Sequence, residues 1–294
     1  MPSVDALFTK ADSTRRKILS SVDPSDFAWA IPIMRAGYAG RGLVYLIVVT
    51  VSLWSIWQGG QAQGTQSAMA SLDGAWGTIV LLLVAAGMFS YAVWRLVDCI
   101  WDLEAYGTSA KGIIARSGMI VTGLAHAGIG VLALTALGLR SSSSGSGTTS
   151  MLSQIMQQPG GNWLVGIAGA LTVAAGIYYL YKAAAQTYRE HLQANHFTLN
   201  WNWMLRAGVA AQGIVVTIIG GLIFFTALQA DPSQAGGLGS VFDWVREQPF
   251  GQILVVVLCI GLLGFALFGF VNAAYRIIPK AADDNTRSVA VSLK

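Results

Sequence analysis

Three arginines recur along this chain in one short pattern: Arg35-Ala-Gly37 with Gly42, Arg116-Ser-Gly118 with Gly123, and Arg206-Ala-Gly208 with Gly213. Each opens a long apolar run. A guanidinium at such a boundary can anchor in phosphate headgroups on its long stem, or, where three converge, draw in an anion or an acidic lipid. Anchoring at the inner interface is the expectation for Arg35, Arg116 and Arg206. Arg41 stands six residues deeper, about 9 Å along a helix from Arg35. A charge at that depth needs a partner or water, and Asp98 and Asp102 are the carboxylates expected to meet it. The matching positions in the later copies are Thr122 and Gln212; those matching Tyr45 are His126 and Val216. Arg41, Tyr45, Thr122, His126 and Gln212 therefore make a candidate polar intramembrane site. It would be a constriction or a binding site, or else polar glue between helices at about 0.6 kcal/mol per contact. His126 would relay a proton or hold a quinone oxygen, or rest as a neutral imidazole bonded to a helix carbonyl or a threonine. A further column, Asp98, Lys182 and Asn272, marks a possible inner gate if Asp98 and Lys182 pair across repeats. The alternative there is an ordinary surface contact.

Other chemistry is missing from the sequence. There is no Gly-rich loop ending in Gly-Lys-Ser/Thr, no His-Glu-x-x-His, no Cys-x-x-Cys and no Gly-x-Ser-x-Gly. A bis-His haem lacks a second intramembrane histidine, and His191 with His196 lacks a third metal ligand. No catalytic residue, metal or cofactor is expected.

These side chains must be positioned by membrane helices. Hydrophobic residues make up 54% of the 294, charged residues 11%, and mean hydropathy is +0.57. Six runs are long enough to cross roughly 30 Å of hydrocarbon, at about 33–57, 75–98, 116–139, 161–182, 206–229 and 250–277, and none shows the alternation of a barrel strand. Of the 18 Lys and Arg, only Arg140 and Arg246 fall on one side of these spans. Positive charge is retained in the cytoplasm, so both termini are expected inside. Trp54, Trp57, Trp76, Trp163 and Trp244 lie at the outer ends, and Trp29, Trp94, Trp101, Trp201 and Trp203 at the inner ends, as two interfacial belts. Cys99 and Cys259 are expected to be packing residues. The segments read as 1–31 (cytoplasmic), 32–112, 113–200 and 201–280 (three two-helix repeats) and 281–294 (cytoplasmic tail).

The repeat extends past its opening motif. Ala75-Trp-Gly77, Pro159-Gly-Gly161 and Pro249-Phe-Gly251 precede the second helix of each unit. Sixteen residues after the start of each triplet come Tyr91-Ala-Val-Trp94, Ala175-Gly-Ile-Tyr178 and Phe265-Ala-Leu-Phe268. Short interfacial helices are expected at 67–73, 150–158 and 240–248, with Ser150 and Ser240 as N-caps. Ser/Gly-rich 141–147 is an insertion found only in the second repeat. A two-helix unit returns the chain to its starting side, so all three copies share one orientation. A pseudo-threefold arrangement of hairpins is the simplest closed one, and a linear row is the alternative.

The string Arg35-Ala-Gly-Tyr-Ala-Gly-Arg41-Gly42-Leu-Val-Tyr45, with the Gln248-Pro-Phe-Gly251 approach to a second helix, resembles the bacterial membrane family catalogued as domain of unknown function 1206. The resemblance covers about residues 30–280 and is fullest in the first repeat. It implies an all-α integral membrane protein of three tandem two-helix repeats in a bacterial plasma membrane, and it implies no mechanism. Mitochondrial carriers share the three-repeat plan, but their Pro-x-acid-x-x-base signature is absent.

The expected function is a non-enzymatic lipid-binding or membrane-complex interaction protein, with a small transporter or channel as the alternative. The expected partners are membrane lipids, anionic on the cytoplasmic face, or a membrane protein; the basic face suits headgroups rather than nucleic acid. A topology reporter inserted at Ser144 is expected outside and one at Asn195 inside. Finding both on one side would sink the six-span arrangement.

Overall fold

The computed structural model describes residues 24–138, 148–231, 236–279 and 288–289. Ten α-helices follow in order: α1 (Ala30–Trp57), α2 (Thr65–Ala70), α3 (Gly74–Trp101), α4 (Ala110–Ala136), α5 (Thr148–Met156), α6 (Gly161–Ala185), α7 (His196–Asn200), α8 (Asn202–Gln229), α9 (Leu238–Arg246) and α10 (Gly251–Tyr275). Six of them, α1, α3, α4, α6, α8 and α10, are long and apolar enough to span a bilayer. They match the six expected runs. The largest boundary shift is at α4, which begins at Ala110 because Ser109 caps it, its side chain accepting from the Gly112 amide at 3.3 Å. Such a cap fixes a start ahead of the apolar run.

Short α2, α5 and α9 occupy the positions expected for the interfacial helices. Ser150 and Ser240 lie inside α5 and α9 rather than at the position before them, which Gly237 holds for α9. Left-handed Gly160 (φ 78°) and Phe250 (φ 60°) lead from α5 and α9 into the next span. The glycines that follow, Gly161 and Gly251, lie against the carbonyls of Ile155 and Arg246, where a Cβ has no room. The final glycine of each triplet is thus a tight-turn requirement. All of 141–147, with residues 139–140 before it, lies outside the described residues.

The spans pack in the order α4, α3, α1, α10, α8, α6. This is the order of a six-membered ring with one edge missing: α4 and α6, the two helices of the second repeat, do not pack along their length. A flat row is excluded. In a row, α1 and α6 would stand three interhelical spacings apart, about 27 Å, yet Arg41 of α1 bonds Tyr179 of α6 at 3.2 Å. The ring is therefore curved, with Arg41 reaching across it.

The repeat register shows how the missing edge arises. In the first repeat a Cβ on Gly37 would strike the Tyr91 backbone, and one on Gly40 the Gly87 backbone. In the third, Gly208 lies equally close to the Gly264–Phe265 backbone. Both hairpins are zipped by small residues, which let helix backbones approach. The matching Gly118 of the second repeat has open space around it, as does Gly128. On the facing helix, Tyr91 and Phe265 are sealed while the equivalent Ala175 is exposed. Trp94 and Phe268 are at most 5% exposed, whereas the equivalent Tyr178 is 55% exposed. The second hairpin keeps its small residues and stands open. At the ring's far end, α2 packs on α4 and α9 on α8 and α10, with Gly64 backbone against Gly239.

Candidate functional site

Polar side chains line the ring interior as a ladder rising from the basic end. At its foot, Arg276 follows the end of α10. Its Nε donates to Glu104 Oε1 at 2.9 Å, its Nη2 bonds the same oxygen, and its Nη1 donates to Asn272 Oδ1 at 2.7 Å. Its guanidinium lies 5.0 Å over the Tyr38 ring. Arg95 is the next rung. It donates from Nη2 to the Tyr38 hydroxyl at 3.0 Å, from Nε to the Tyr91 hydroxyl at 3.1 Å, and from Nη1 to Asp98 at 3.3 Å. Asp98 also accepts the Glu104 backbone N–H at 3.0 Å. The top rung is Arg41. It donates to the Tyr91 and Tyr179 hydroxyls, both at 3.2 Å, and lies 4.8 Å over the Phe265 ring. Its Nε has no hydrogen-bond partner, and neither has Oε1 of Gln212. Arg41 is 6% exposed and Gln212 5%.

Each lower guanidinium has a carboxylate; Arg41 has none. Among the described residues the ion pairs are Arg95–Asp98, Arg246–Asp243 and Arg276–Glu104. The expected Arg41 pairing with Asp98 or Asp102 is corrected: Arg41 meets phenols and aromatic faces, because Asp98 is taken by Arg95 one turn away and Asp102 accepts the Tyr106 and Gly107 amides at 2.8 Å. Phenols and rings offset part of the cost of a buried cation without neutralising it.

The other expected residues separate by role. Tyr45 joins the Arg41 layer: its ring stands edge-on to Phe265 at 4.9 Å, and its hydroxyl lies near Gln212. His126 lies 4.4 Å from the Tyr91 ring, with Nδ1 2.7 Å from the Thr122 carbonyl. Thr122 turns its hydroxyl to the Gly118 carbonyl of its own helix, at 2.7 Å, and so leaves the layer. The Asp98–Lys182 gate does not form. Asp98 is paired on its own helix and Asn272 is held by Arg276, which leaves Lys182 half-buried.

Two of the three recurring arginines serve helix ends. Arg116 donates from Nε to the Cys99 carbonyl at 2.7 Å, and Arg206 from Nε to the Ala183 carbonyl at 3.1 Å. Cys99 and Ala183 are the same position in successive repeats. Each arginine thus covers orphan carbonyls at the C-terminus of the preceding second helix, where the helix dipole favours a cation. Arg35, in the first repeat, is exposed.

Sequence reasoning missed the lower rungs. Tyr91 and Phe265 stood in a recognised column, and Arg95 and Tyr179 share the column four residues later. Their divergence was the available signal. Glu104 sits in an inter-repeat connection, and nothing local marks it as the partner of Arg276, 172 residues away.

A multi-pass membrane protein built from three hairpins, with an Arg–Tyr ladder inside and one hairpin open, is the class that fold and site define. The family model described as Domain of Unknown Function (DUF1206) matches residues 36–102, 117–186 and 207–276, and the chain belongs to that family. A relative from Bacillus subtilis (strain 168), named uncharacterized protein YxxB, is 22% identical over 269 residues, covering 90% of this chain and 98% of its own. No solved structure matches.

Outside the spans, two groups set a pH response. Burial alone would push Glu104 up, but Arg276 and then Arg95 outweigh it and hold the carboxyl well below its usual range. Burial, with Arg276 beside it, pulls the His191 imidazole from 6.5 down to about 4. A depressed histidine contributes stability that is full above 6.5 and lost as pH falls toward about 4. The Glu104 contribution is full above about 4.3 and fades below it. The melting temperature is expected to be flat above neutrality, to decline from pH 6.5 to about 4, and then to fall further. His191→Gln removes the upper decline alone. Glu104→Gln strands the Arg276 charge and costs about 3–5 kcal/mol. A wild-type profile that is flat across the upper window would refute the His191 assignment.

Proposed function

We propose that this protein binds membrane lipid in a cleft formed by its own second repeat and opened sideways to the bilayer. One observation carries the reading: helix faces that seal the first and third hairpins are exposed in the second, at Gly118, Ala125 and Gly128 on α4 and Ala168 and Ala175 on α6. In hydrocarbon, such faces are filled by acyl chains or by another helix. The reading is non-enzymatic. It sets the protein in the bacterial plasma membrane with both termini in the cytoplasm, and its basic end against anionic headgroups. A transporter would use the same residues on the ring axis. Tyr91, Tyr179 and Phe265 crowd around Arg41, which favours binding over a wet path.

A phospholipid carrying a photoreactive group on its acyl chain tests this in native membranes. Adducts are expected to concentrate at residues 118–128 and 168–178. Ala175→Phe, which supplies the side chain of the third repeat, is expected to reduce them several-fold. Labelling spread evenly over all six spans would contradict the cleft, and stoichiometric protection by a co-purifying membrane protein would favour a partner helix instead.

A further inference from the structure

The unbalanced charge at the top of the ladder says what the cleft holds. Three guanidinium groups, Arg41, Arg95 and Arg276, are enclosed in the ring, and two carboxylates, Asp98 and Glu104, are enclosed with them. Half-buried Lys182 adds to the excess. Arg41 uses two of its five N–H donors, on Tyr91 and Tyr179. Its Nε, in a side chain more than nine-tenths buried, donates to nothing. Gln212, equally buried, presents an unpartnered oxygen beside Tyr45.

These free groups sit behind the open edge. Arg41 lies between Tyr91, which carries His126 of α4 on its ring, and Tyr179 of α6. One helical turn above Tyr179 on the same face is Ala175, exposed in the cleft, and Thr172 and Ala168 continue that face. An acyl chain lying along Ala168, Thr172 and Ala175 would bring its polar end to Arg41. Where hydrocarbon meets a cation lacking a carboxylate, the complementary molecule is apolar along its length and negative at its head.

We propose that Arg41, with Gln212 beside it, seats the acidic headgroup of an amphiphile that enters between α4 and α6. The Arg41 N–H groups take its anionic oxygens, and the Gln212 oxygen takes a hydroxyl where the headgroup has one. This inference rests on the lipid reading above and names its ligand class.

Native mass spectrometry of the full chain, extracted gently and then delipidated, provides the test, with three probes offered separately: dioleoyl phosphatidylglycerol, oleate and dioleoyl phosphatidylcholine. Phosphatidylglycerol or oleate is expected to be retained at one per chain and at least tenfold better than phosphatidylcholine. Which of the two wins tells a phosphodiester from a carboxylate. Arg41→Gln is expected to remove that preference while leaving acyl-chain photolabelling of the cleft intact. If Arg41→Gln does not fold, the wild-type preference decides alone. Equal retention of phosphatidylcholine overturns the acidic seat, and the cleft survives if Ala175→Phe abolishes retention of all three probes. No effect of Ala175→Phe on any probe overturns both. Inorganic phosphate displacing the bound amphiphile at equal concentration would also overturn the proposal, since the seat would then bind a free anion.

Discussion

Helices in a bilayer have no water to expel between them, so a hairpin closes only if its backbones can come close enough for dispersion to act over their length. That constraint decides this fold. Gly37 and Gly40 against α3, and Gly208 against α10, give two hairpins whose approach leaves no space for a methyl group. Further close contacts, Gly169 against Phe224 and Gly220 against Thr172–Val173, bind α6 to α8. Having paired so closely with the third repeat, α6 stands away from α4, and α4 in turn packs on α3. The second repeat is thus divided between its neighbours. Its open face is the consequence of strong packing elsewhere.

The same low-dielectric medium explains the ladder. A guanidinium inside hydrocarbon must be paired or surrounded by oriented groups. Arg276 and Arg95 have carboxylates near the basic end, where the connection after α3 delivers Glu104 and the end of α3 delivers Asp98. Deeper in, the chain offers phenols: Tyr91 accepts from both Arg95 and Arg41, joining the two rungs through one oxygen. Charge becomes less compensated with depth, and the least compensated cation reaches across the ring to α6, one of the two helices that bound the open edge. The two features are physically independent, one a matter of backbone approach and the other of charge balance, and they coincide at one edge.

Much of this was legible in the sequence. Hydropathy gave six spans because length and apolarity are properties of each run alone. The register of Arg35, Arg116 and Arg206, and of the second-helix triplets, gave three repeats. Arg41, Tyr45 and Gln212 were recognisable as a polar layer because their columns disagree between copies. What was illegible depends on tertiary proximity. Arg116 and Arg206 were read as headgroup anchors, yet they cap helix ends whose carbonyls carry no sequence signature. The Asp98–Lys182 gate was offered beside an ordinary surface contact because the two share a repeat column, and Arg95 takes Asp98 from three residues away. The open hairpin was hidden most deeply, since Gly118 looks the same in the sequence as Gly37 and Gly208. The Ser/Gly insertion at 141–147 and small Ala175, where the other copies have Tyr91 and Phe265, set the second repeat apart, and the insertion lies outside the described residues.

The second hairpin must stand open in a bilayer while it keeps a closing register. Spin labels on Gly118→Cys and Ala175→Cys, with Cys99 and Cys259 replaced by alanine, address this in reconstituted membranes. The positions match Gly37 and Tyr91, which touch in the first repeat. An open edge predicts spectra free of dipolar broadening and labels that collide readily with oxygen dissolved in the lipid. Strong broadening together with protection from oxygen would mean that α4 and α6 are zipped like the other two pairs, and would contradict the account.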